Sequence, residues 1–204
     1  LNVGKSAVWY DSRYYRAGLY WAGTEFIIRD IHMFDEKIES DYLRKPLTTT
    51  YCEYLTPPFI DGFFWSSQTE LAGLRLVTFK ADGTTEVIPV KSHEYVESAA
   101  DVLSVLCGTD YGQFELIFNE DAMTVSFAPA AGSEPLKWAL EFNAFVKGNL
   151  PFIKITDKAI SASYKGYDYN VRLTEGKFSP KSSDFANWHI LPQNGRLVLS
   201  GVLK

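Results

Sequence analysis

Three short segments bring aromatic rings and hydrogen-bonding side chains together. The densest spans residues 9–16, with the sequence Trp-Tyr-Asp-Ser-Arg-Tyr-Tyr-Arg, and residues 63–68 and 185–189 repeat the mixture. A sugar ring has one apolar C–H face and a rim of hydroxyl groups. Flat aromatic rings can cover that face, while Asp, Asn, Arg or Gln side chains bond to the rim. The pattern therefore predicts a carbohydrate-binding site.

We assign the predicted ligand-binding role to residues of these segments that offer a flat ring, a charged group or an amide. They are Trp9, Asp11, Arg13, Trp65, Gln68, Trp188 and His189. Core packing is the competing interpretation, because most aromatic residues of a β-sandwich fill the space between its sheets. The core is favoured for Trp9, Trp21 and Trp138, whereas Trp65 and Trp188 fit both interpretations.

Acid–base chemistry is a second class of candidate. The three histidines, His32, His93 and His189, are far apart and belong to no recognisable metal or triad pattern. His93 precedes Glu94, but adjacent side chains on a strand point to opposite faces. An enzyme alternative remains open, in which a small sugar epimerase or hydrolase uses His93 or His189 with a carboxylate.

Paired carboxylates are the third class, since glycoside hydrolysis needs two of them roughly 5–10 Å apart. The candidates that lie beside aromatic residues are Asp11, Glu25, Asp61, Glu70 and Glu94. The chain has 25 Asp and Glu residues, and no spacing rule selects a pair among them. Solvation or ion pairing is the default interpretation, and a non-catalytic role is favoured while the enzyme question stays open.

The sequence contains no phosphate-binding loop, G-x-S-x-G, H-E-x-x-H or C-x-x-C motif, and we predict neither a cofactor nor a metal. Gly4-Lys5-Ser6 has the end of a P-loop pattern without its upstream glycine. Cys52 and Cys107 leave two interpretations open, one disulfide or two buried thiols.

Composition excludes several classes of protein. The net charge is −5 and the basic residues are scattered, which argues against a nucleic-acid partner. No apolar run approaches 18 residues, so no membrane span is predicted. A length of 204 residues without an interior linker favours one domain over 1–204, and the initial Leu1 leaves two interpretations open, a mature protein or a domain excised from a larger protein.

Period-2 alternation is the main evidence for the fold. Apolar residues alternate with polar ones over 114–118, 123–127, 138–146 and 167–174. This spacing is typical of strands with one buried face. Turn residues separate these runs, as in Ala-Asp-Gly at 81–83, which favours antiparallel hairpins. The sequence predicts an all-β antiparallel sandwich, supersandwich or jelly-roll-like.

A few exceptions to regular strand are expected. Residues 35–43 are assigned a short helical turn capped by Asp35. Residues 98–106 fit a helix or a buried strand, and the strand is favoured. Because of their prolines, residues 45–64 and 179–188 are predicted to be irregular, as loops or edge segments and not central strands. Lys-Gly, Glu-Gly and Asn-Gly at 165–166, 175–176 and 194–195 predict three further reversals.

The opening hairpin resembles that of galactose-mutarotase-like β-supersandwich domains. The resemblance lies in residues 11–18, with the sequence Asp-Ser-Arg-Tyr-Tyr-Arg-Ala-Gly, and in 20–26, with the sequence Tyr-Trp-Ala-Gly-Thr-Glu-Phe. It implies sugar handling, as in N-terminal domains of multidomain glycoside hydrolases and polysaccharide lyases. The histidine acid and glutamate base of the catalytic members have no matching motif here, which favours an accessory domain.

The leading hypothesis is therefore a carbohydrate-binding or accessory β-sandwich of a polysaccharide-processing protein. Its expected partners are a glycan and the neighbouring domains of a parent chain, and this role favours an extracytoplasmic or secreted location. The alternative is a structural or protein-interaction module, which would present an exposed apolar patch instead of an aromatic site. The small sugar enzyme is the third hypothesis.

Overall fold

Turn chemistry folds the chain into antiparallel hairpins. At Lys165-Gly166 and Asn194-Gly195 both turn residues have positive φ, between 51° and 81°. This backbone conformation has the twist that a two-residue hairpin needs. The predicted reversals at 81–83 and 165–166 join paired strands and are confirmed. The one at 194–195 is confirmed as a tight turn closed by the Gln193–Arg196 bridge, although the strands on its two sides belong to different sheets. The predicted reversal at 175–176 is wrong: the chain leaves one sheet at residue 175 and enters the other at residue 177.

The computed structural model describes residues 4–38, 46, 56–133, 135–146 and 150–203. These residues contain no helix, and therefore none that could cross a membrane. The strands within the described ranges are β1 (Lys5–Asp11), β2 (Tyr15–Ala22), β3 (Glu25–Met33), β4 (Pro58–Asp61), β5 (Gly73–Phe79), β6 (Thr85–Val87), β7 (Ser92–Ala99), β8 (Val102–Thr109), β9 (Gly112–Asn119), β10 (Ala122–Pro129), β11 (Trp138–Asn143), β12 (Phe152–Ile155), β13 (Ala159–Tyr164), β14 (Tyr167–Glu175), β15 (Lys177–Pro180), β16 (Asn187–Leu191) and β17 (Arg196–Ser200).

The strands form two antiparallel sheets, neither of which closes into a barrel. The first sheet has the order β1-β2-β3-β5-β11-β16-β15, with β4 paired to β3 and β6 to β5. The second has the order β12-β13-β14-β17-β10-β9-β8-β7. The predicted all-β antiparallel sandwich is confirmed.

The predicted alternation places the core between the two sheets. On β14, Tyr169, Val171 and Leu173 are buried, whereas Asp168 and Arg172 are exposed. The same period-2 burial occurs on β8 and β9. One face of each strand therefore fills the interior, as the sequence predicts.

Aromatic rings cross the interface between the sheets. Tyr10 of β1 contacts Phe118 of β9, with ring centroids 5.7 Å apart. Phe114 of β9 meets Trp138 of β11 edge to face at 5.1 Å. The core assignment of Trp138 and Trp21 is confirmed, since both are almost fully buried.

Three irregular assignments need correction. Residues 98–106 hold the end of β7, a turn and the start of β8, so the strand interpretation holds from residue 102. The 45–64 segment contains a strand, β4, although residues 45 and 47–55 lie outside the described ranges. Within 179–188, residues 179–180 belong to the edge strand β15 and 181–186 form a loop, as predicted, whereas 187–188 begin the inner strand β16. In the 45–64 segment, a short apolar stretch next to prolines does not indicate from the sequence that it will pair with a strand elsewhere in the chain.

Two predictions fall partly outside the described residues. Asp35 does cap a turn, because its Oδ1 accepts a hydrogen bond from the Lys37 N–H at 2.9 Å, but the segment beyond Ile38 is not described. Cys52 likewise lies outside the described residues, and with it the predicted choice between a disulfide and two thiols. Cys107 is a buried free thiol, and burial raises its pKa to about 12. It packs as a small apolar residue.

Candidate functional site

The outer face of β1, β2 and β3 carries the most varied exposed chemistry among the described residues. Antiparallel register aligns Trp9, Gly18, Asp30 and Asp61 in one row across β1, β2, β3 and β4. In the neighbouring row Asp11, Arg16 and His32 face one another. Side chains in a row are cross-strand neighbours, so an aromatic ring lies beside alternating charges.

Trp9 lies flat on the sheet because its row neighbour has no side chain. Its ring covers Gly18, where an added Cβ would lie only 2.8 Å from Cζ3 and 2.9 Å from Cη2. The Arg16 guanidinium lies 5.8 Å from the centre of the same ring. The Trp9 ring is nevertheless accessible to solvent, since 56% of this residue is exposed. Trp9 is thus an aromatic platform held at a defined position.

A groove of about 230 Å³ lies next to this platform. We call it the Trp9 groove, and its lining residues are Ala7, Trp9, Gly18, Leu19, Tyr20, Arg29, Asp30 and Phe63. Rings from three chain segments, a guanidinium and a carboxylate therefore surround one concavity. Such a mixture of apolar walls with a few polar groups is typical of a small-ligand site.

Arg16 holds the carboxylate of the groove, and the His32 imidazole lies beside it. Arg16 Nε donates to Oδ1 of Asp30 at 3.0 Å, and its Nη2 lies 3.5 Å from Oδ2. The His32 Nε2 is 3.8 Å from the same Oδ2 and 3.5 Å from Oδ2 of Asp61. Thr56 fixes the imidazole through a contact of 2.7 Å to Nδ1. The groove wall is therefore a preorganised network of charges.

Asp61 has two roles beneath the groove. Burial alone would raise its pKa, but the neighbouring His32 imidazole and the backbone N–H groups of Phe64 and Phe63 lower it. The same N–H groups donate to Oδ1 at 2.9 and 3.1 Å, which closes a tight turn. As a result Phe63 and Phe64 point outward, 76% and 66% exposed.

A second concavity lies on the other side of Trp9. It has a volume of about 290 Å³ and occupies the space between β1 and the β7–β8 turn. Asp11, Glu97 and Asp101 all line it, and the Tyr10 hydroxyl donates to the Asp101 carbonyl at 2.7 Å. We call it the acidic recess. The predicted site residue Asp11 thus belongs to a different concavity from the groove.

Arg13 and Gln68 also lie away from the groove. Arg13 forms an ion pair with Glu36 and lines a separate concavity of about 300 Å³ with Tyr14. Gln68 is exposed in the loop that follows the Asp61 turn, and it does not line the groove. Sequence proximity to Trp9 or Trp65 therefore did not place these polar groups beside an exposed ring.

The expectation that Trp65 and Trp188 face solvent is wrong. Trp65 is 4% exposed and meets Phe142 edge to face at 5.8 Å. Trp188 is fully buried and stacks on Phe142 at 4.6 Å and on Phe59 at 5.6 Å. Both rings belong to the core, since Trp188 projects inward from β16 of the first sheet and Trp65 packs on Phe142 from the segment that follows β4. They cannot cover a sugar while the protein is folded.

His189 forms a buried acid–base pair instead of a binding contact. Its Nε2 lies 2.7 Å from Oε2 of Glu141, which also accepts from Thr85 at 2.7 Å. Burial alone would raise the pKa of Glu141, but hydrogen bonds from His189, Thr85 and Asn143 outweigh it and lower the pKa to about 2. Neither side chain lines the groove, the acidic recess or the Arg13 concavity.

The other histidine of the enzyme hypothesis has a packing role. His93 stacks on Trp21, with ring centroids 4.3 Å apart and planes 12° from parallel, and contacts Ser6 Oγ at 3.3 Å. Glu94 is exposed on the opposite side of β7. Among the described residues, no group of three or more His, Cys, Asp or Glu could hold a metal.

Sequence reasoning named Trp9 as a ligand-binding candidate but favoured the core for its ring, and the exposure of 56% shows that the core assignment is wrong. It did not select the other groove residues Tyr20, Arg29, Asp30 and Phe63, although residues 63–68 were one of its candidate segments. The turn at residues 12–14 joins β1 to β2 and could have revealed that Trp9 pairs with Gly18, because register follows from the turn. No local signal reveals Arg29 and Asp30, since the β2–β3 register shifts between Gly18 and Leu19.

Comparison of the chain with protein-family models, with curated proteins and with solved structures finds no match. Family membership therefore contributes nothing to the functional assignment, which depends on the groove itself.

Proposed function

We propose that this chain is a carbohydrate-binding β-sandwich, with the sugar bound in the Trp9 groove. The exposed Trp9 ring on Gly18 is the observation that supports the proposal most. It offers a flat apolar surface of the size of a sugar ring, and it cannot swing inward because Gly18 and the sheet lie beneath it. Tyr20 and Phe63 extend the apolar wall.

Polar groups at the edge of the groove supply the second requirement. Asp30 can accept hydrogen bonds from sugar hydroxyls, and Arg29 can donate to hydroxyl oxygens. Arg16 holds Asp30 in place, so little side-chain entropy is lost when a ligand binds. These polar groups could therefore orient a sugar ring through hydrogen bonds to its hydroxyl groups.

A non-catalytic accessory role is part of the proposal. The acid–base pair that the enzyme hypothesis needs, His189 with Glu141, is buried on the opposite part of the first sheet and not beside the groove. The resemblance of the first hairpin to galactose-mutarotase-like domains is consistent with an accessory domain of a polysaccharide-processing protein, which would act outside the cytoplasm.

Titration with a glycan panel tests the proposal. Of the five tryptophans, all of which lie in described ranges, only Trp9 is exposed, so acrylamide quenching of fluorescence monitors this ring. We expect a bound glycan to protect Trp9 from quencher. Trp9→Ala should weaken binding at least about 10-fold by calorimetry.

Tyr111→Ala is the matched control, because Tyr111 is an exposed ring at the β8–β9 turn of the second sheet. It should bind like the wild type. Equal affinity of the wild type and Trp9→Ala for every glycan that binds would reject the groove as the site.

The protein-interaction alternative has one specific observation in its favour. Phe63 and Phe64 are both largely exposed and meet edge to face at 5.2 Å, which gives an apolar patch at the mouth of the groove. Absence of binding to the entire glycan panel, together with concentration-dependent self-association in sedimentation, would favour this alternative.

A further inference from the structure

Arg29 lacks the ion pair that Arg16, the other arginine beside the groove, forms with a carboxylate. Arg16 is neutralised by Asp30, as Arg13 is by Glu36 and Arg75 by Glu25. Arg29 has no carboxylate of a described residue within ion-pairing distance. Its contacts are the Tyr20 ring, 5.9 Å from the guanidinium, and the Gly62 carbonyl, 3.4 Å from Nη2. Most of its five N–H donors are therefore unused.

The Arg29 stem is fixed by the backbone of the Asp61 turn. A Cβ on Gly62 would lie 2.3 Å from Cγ of Arg29, so the stem fits only because this position is glycine. The Gly62 N–H donates to the Arg29 carbonyl at 2.7 Å, which ties the turn to β3. The guanidinium is thus held in the groove before any ligand arrives.

The charge distribution around Trp9 is asymmetric. In the groove, the Asp30 charge is compensated by Arg16, and no carboxylate of a described residue lies within ion-pairing distance of Arg29. On the other side of Trp9, the acidic recess presents Asp11, Glu97 and Asp101. An anionic group would be attracted to the first side and repelled from the second.

We propose that the ligand of the Trp9 groove is an acidic sugar, whose anionic group pairs with Arg29 while its apolar face covers Trp9. This inference rests on the proposed carbohydrate-binding function. A carboxylate or a sulfate ester can accept two parallel N–H bonds from a guanidinium, and such charge-assisted pairs are about twice as strong as neutral ones. The groove is smaller than the roughly 300–1,000 Å³ of pockets for drug-sized ligands, which suits a single charged ring of a chain.

Calorimetry with matched ligands tests the inference. The probes are trimers of galacturonate, mannuronate and glucuronate, the methyl esters of the same trimers, and dextran sulfate beside dextran. We expect at least one acidic probe to bind more tightly than its uncharged counterpart, with an affinity that falls as salt is added. Preference for the uronates identifies carboxylate as the anion, and preference for dextran sulfate alone identifies sulfate.

Arg29→Gln keeps a hydrogen-bonding amide and removes the charge. It should weaken binding of the acidic probe about 10- to 100-fold, the loss of a charge-assisted hydrogen bond, and leave binding of the uncharged counterpart nearly unchanged. Arg172→Gln, on the exposed face of β14 in the second sheet, removes the same charge elsewhere and should have no effect. Circular dichroism melts of both variants confirm that they fold.

The outcomes separate this inference from the function on which it rests. Equal binding of acids and esters, or equal losses in Arg29→Gln and Arg172→Gln, would overturn the acidic-sugar inference and leave carbohydrate binding intact. Binding of no charged or uncharged glycan would overturn both.

Discussion

Two aromatic regions of the protein use the same residue types for opposite purposes. In the buried aromatic cluster, whose members are Phe59, Trp65, Phe142, Phe152, Phe178 and Trp188, every ring has ring neighbours. In the Trp9 groove, the central ring has a glycine beneath it and solvent above. The role of an aromatic residue therefore depends on its cross-strand neighbour and on the face of the sheet to which it points, and not on the type of ring.

The comparison also holds for the polar residues beside the rings. One residue after Trp188, His189 is in register with Glu141, and Glu141 is in register with Arg75. These three side chains are largely removed from solvent. Around Trp9, Asp30 lines the groove although its side chain is only 13% exposed, and its partner Arg16 is 33% exposed. The Glu141 side chain is 14% exposed and lines none of the three concavities, so it is the position beside the groove, and not exposure alone, that makes Asp30 available to a ligand.

The largest expected effect is on the core side of the comparison. Trp188→Ala removes a ring that stacks on two neighbours, and we expect the free energy of unfolding to fall by about 3–5 kcal/mol in urea denaturation. Trp9→Ala should change it by less than about 1 kcal/mol, because the ring is mostly exposed. Similar losses for both variants would mean that the two regions are not distinct.

An intermediate effect is expected from the buried His189–Glu141 pair. The pKa of Glu141 in the folded state is about 2, below its ordinary value of 4.5. The ionised carboxylate therefore contributes stability above pH 4.5, and this contribution is lost as the pH falls towards 2.

Glu141→Gln removes the titrating group and keeps its size. Urea denaturation between pH 7 and pH 2 should show a steeper loss of stability for the wild type than for the variant, and at pH 7 the variant should be less stable by about 1–3 kcal/mol. Parallel pH curves for the two proteins would contradict the assigned pKa.

A smaller effect on stability than that of Glu141→Gln is expected from Gly18→Ala, yet this substitution should disable the groove. The new Cβ would meet the Trp9 ring at 2.8 Å, so the ring must leave its position at a cost of about 1 kcal/mol in unfolding free energy. Acrylamide quenching of Trp9 should change, and glycan affinity should fall about as far as in Trp9→Ala.

A double-mutant cycle sharpens this last prediction. When Trp9 is already alanine, Gly18→Ala should cost less stability than in the wild type, because the clashing ring is gone. Additive effects of the two substitutions would show that Trp9 does not rest on Gly18.

Trp9 and Trp188 illustrate how far the sequence reaches. Both stand beside polar residues, and both were assigned to ligand binding on that basis, but only the sheet pairing reveals that Trp188 projects between Phe142 and Phe59. Prediction of the strands was more successful, since the alternation on β14 is visible in eight consecutive residues. Of the ligand-binding residues that the sequence predicted, only Trp9 lines the groove.

The sequence by itself determined the all-β antiparallel character of the chain, because the period-2 pattern and the turn residues act between near neighbours. The tertiary structure decided which faces are covered, through pairings such as β3 with β4 and the register shift at Gly18 that brings Asp30 opposite it. These pairings join residues far apart in the chain. Their energies depend on the whole packed sheet, and no local spacing records them.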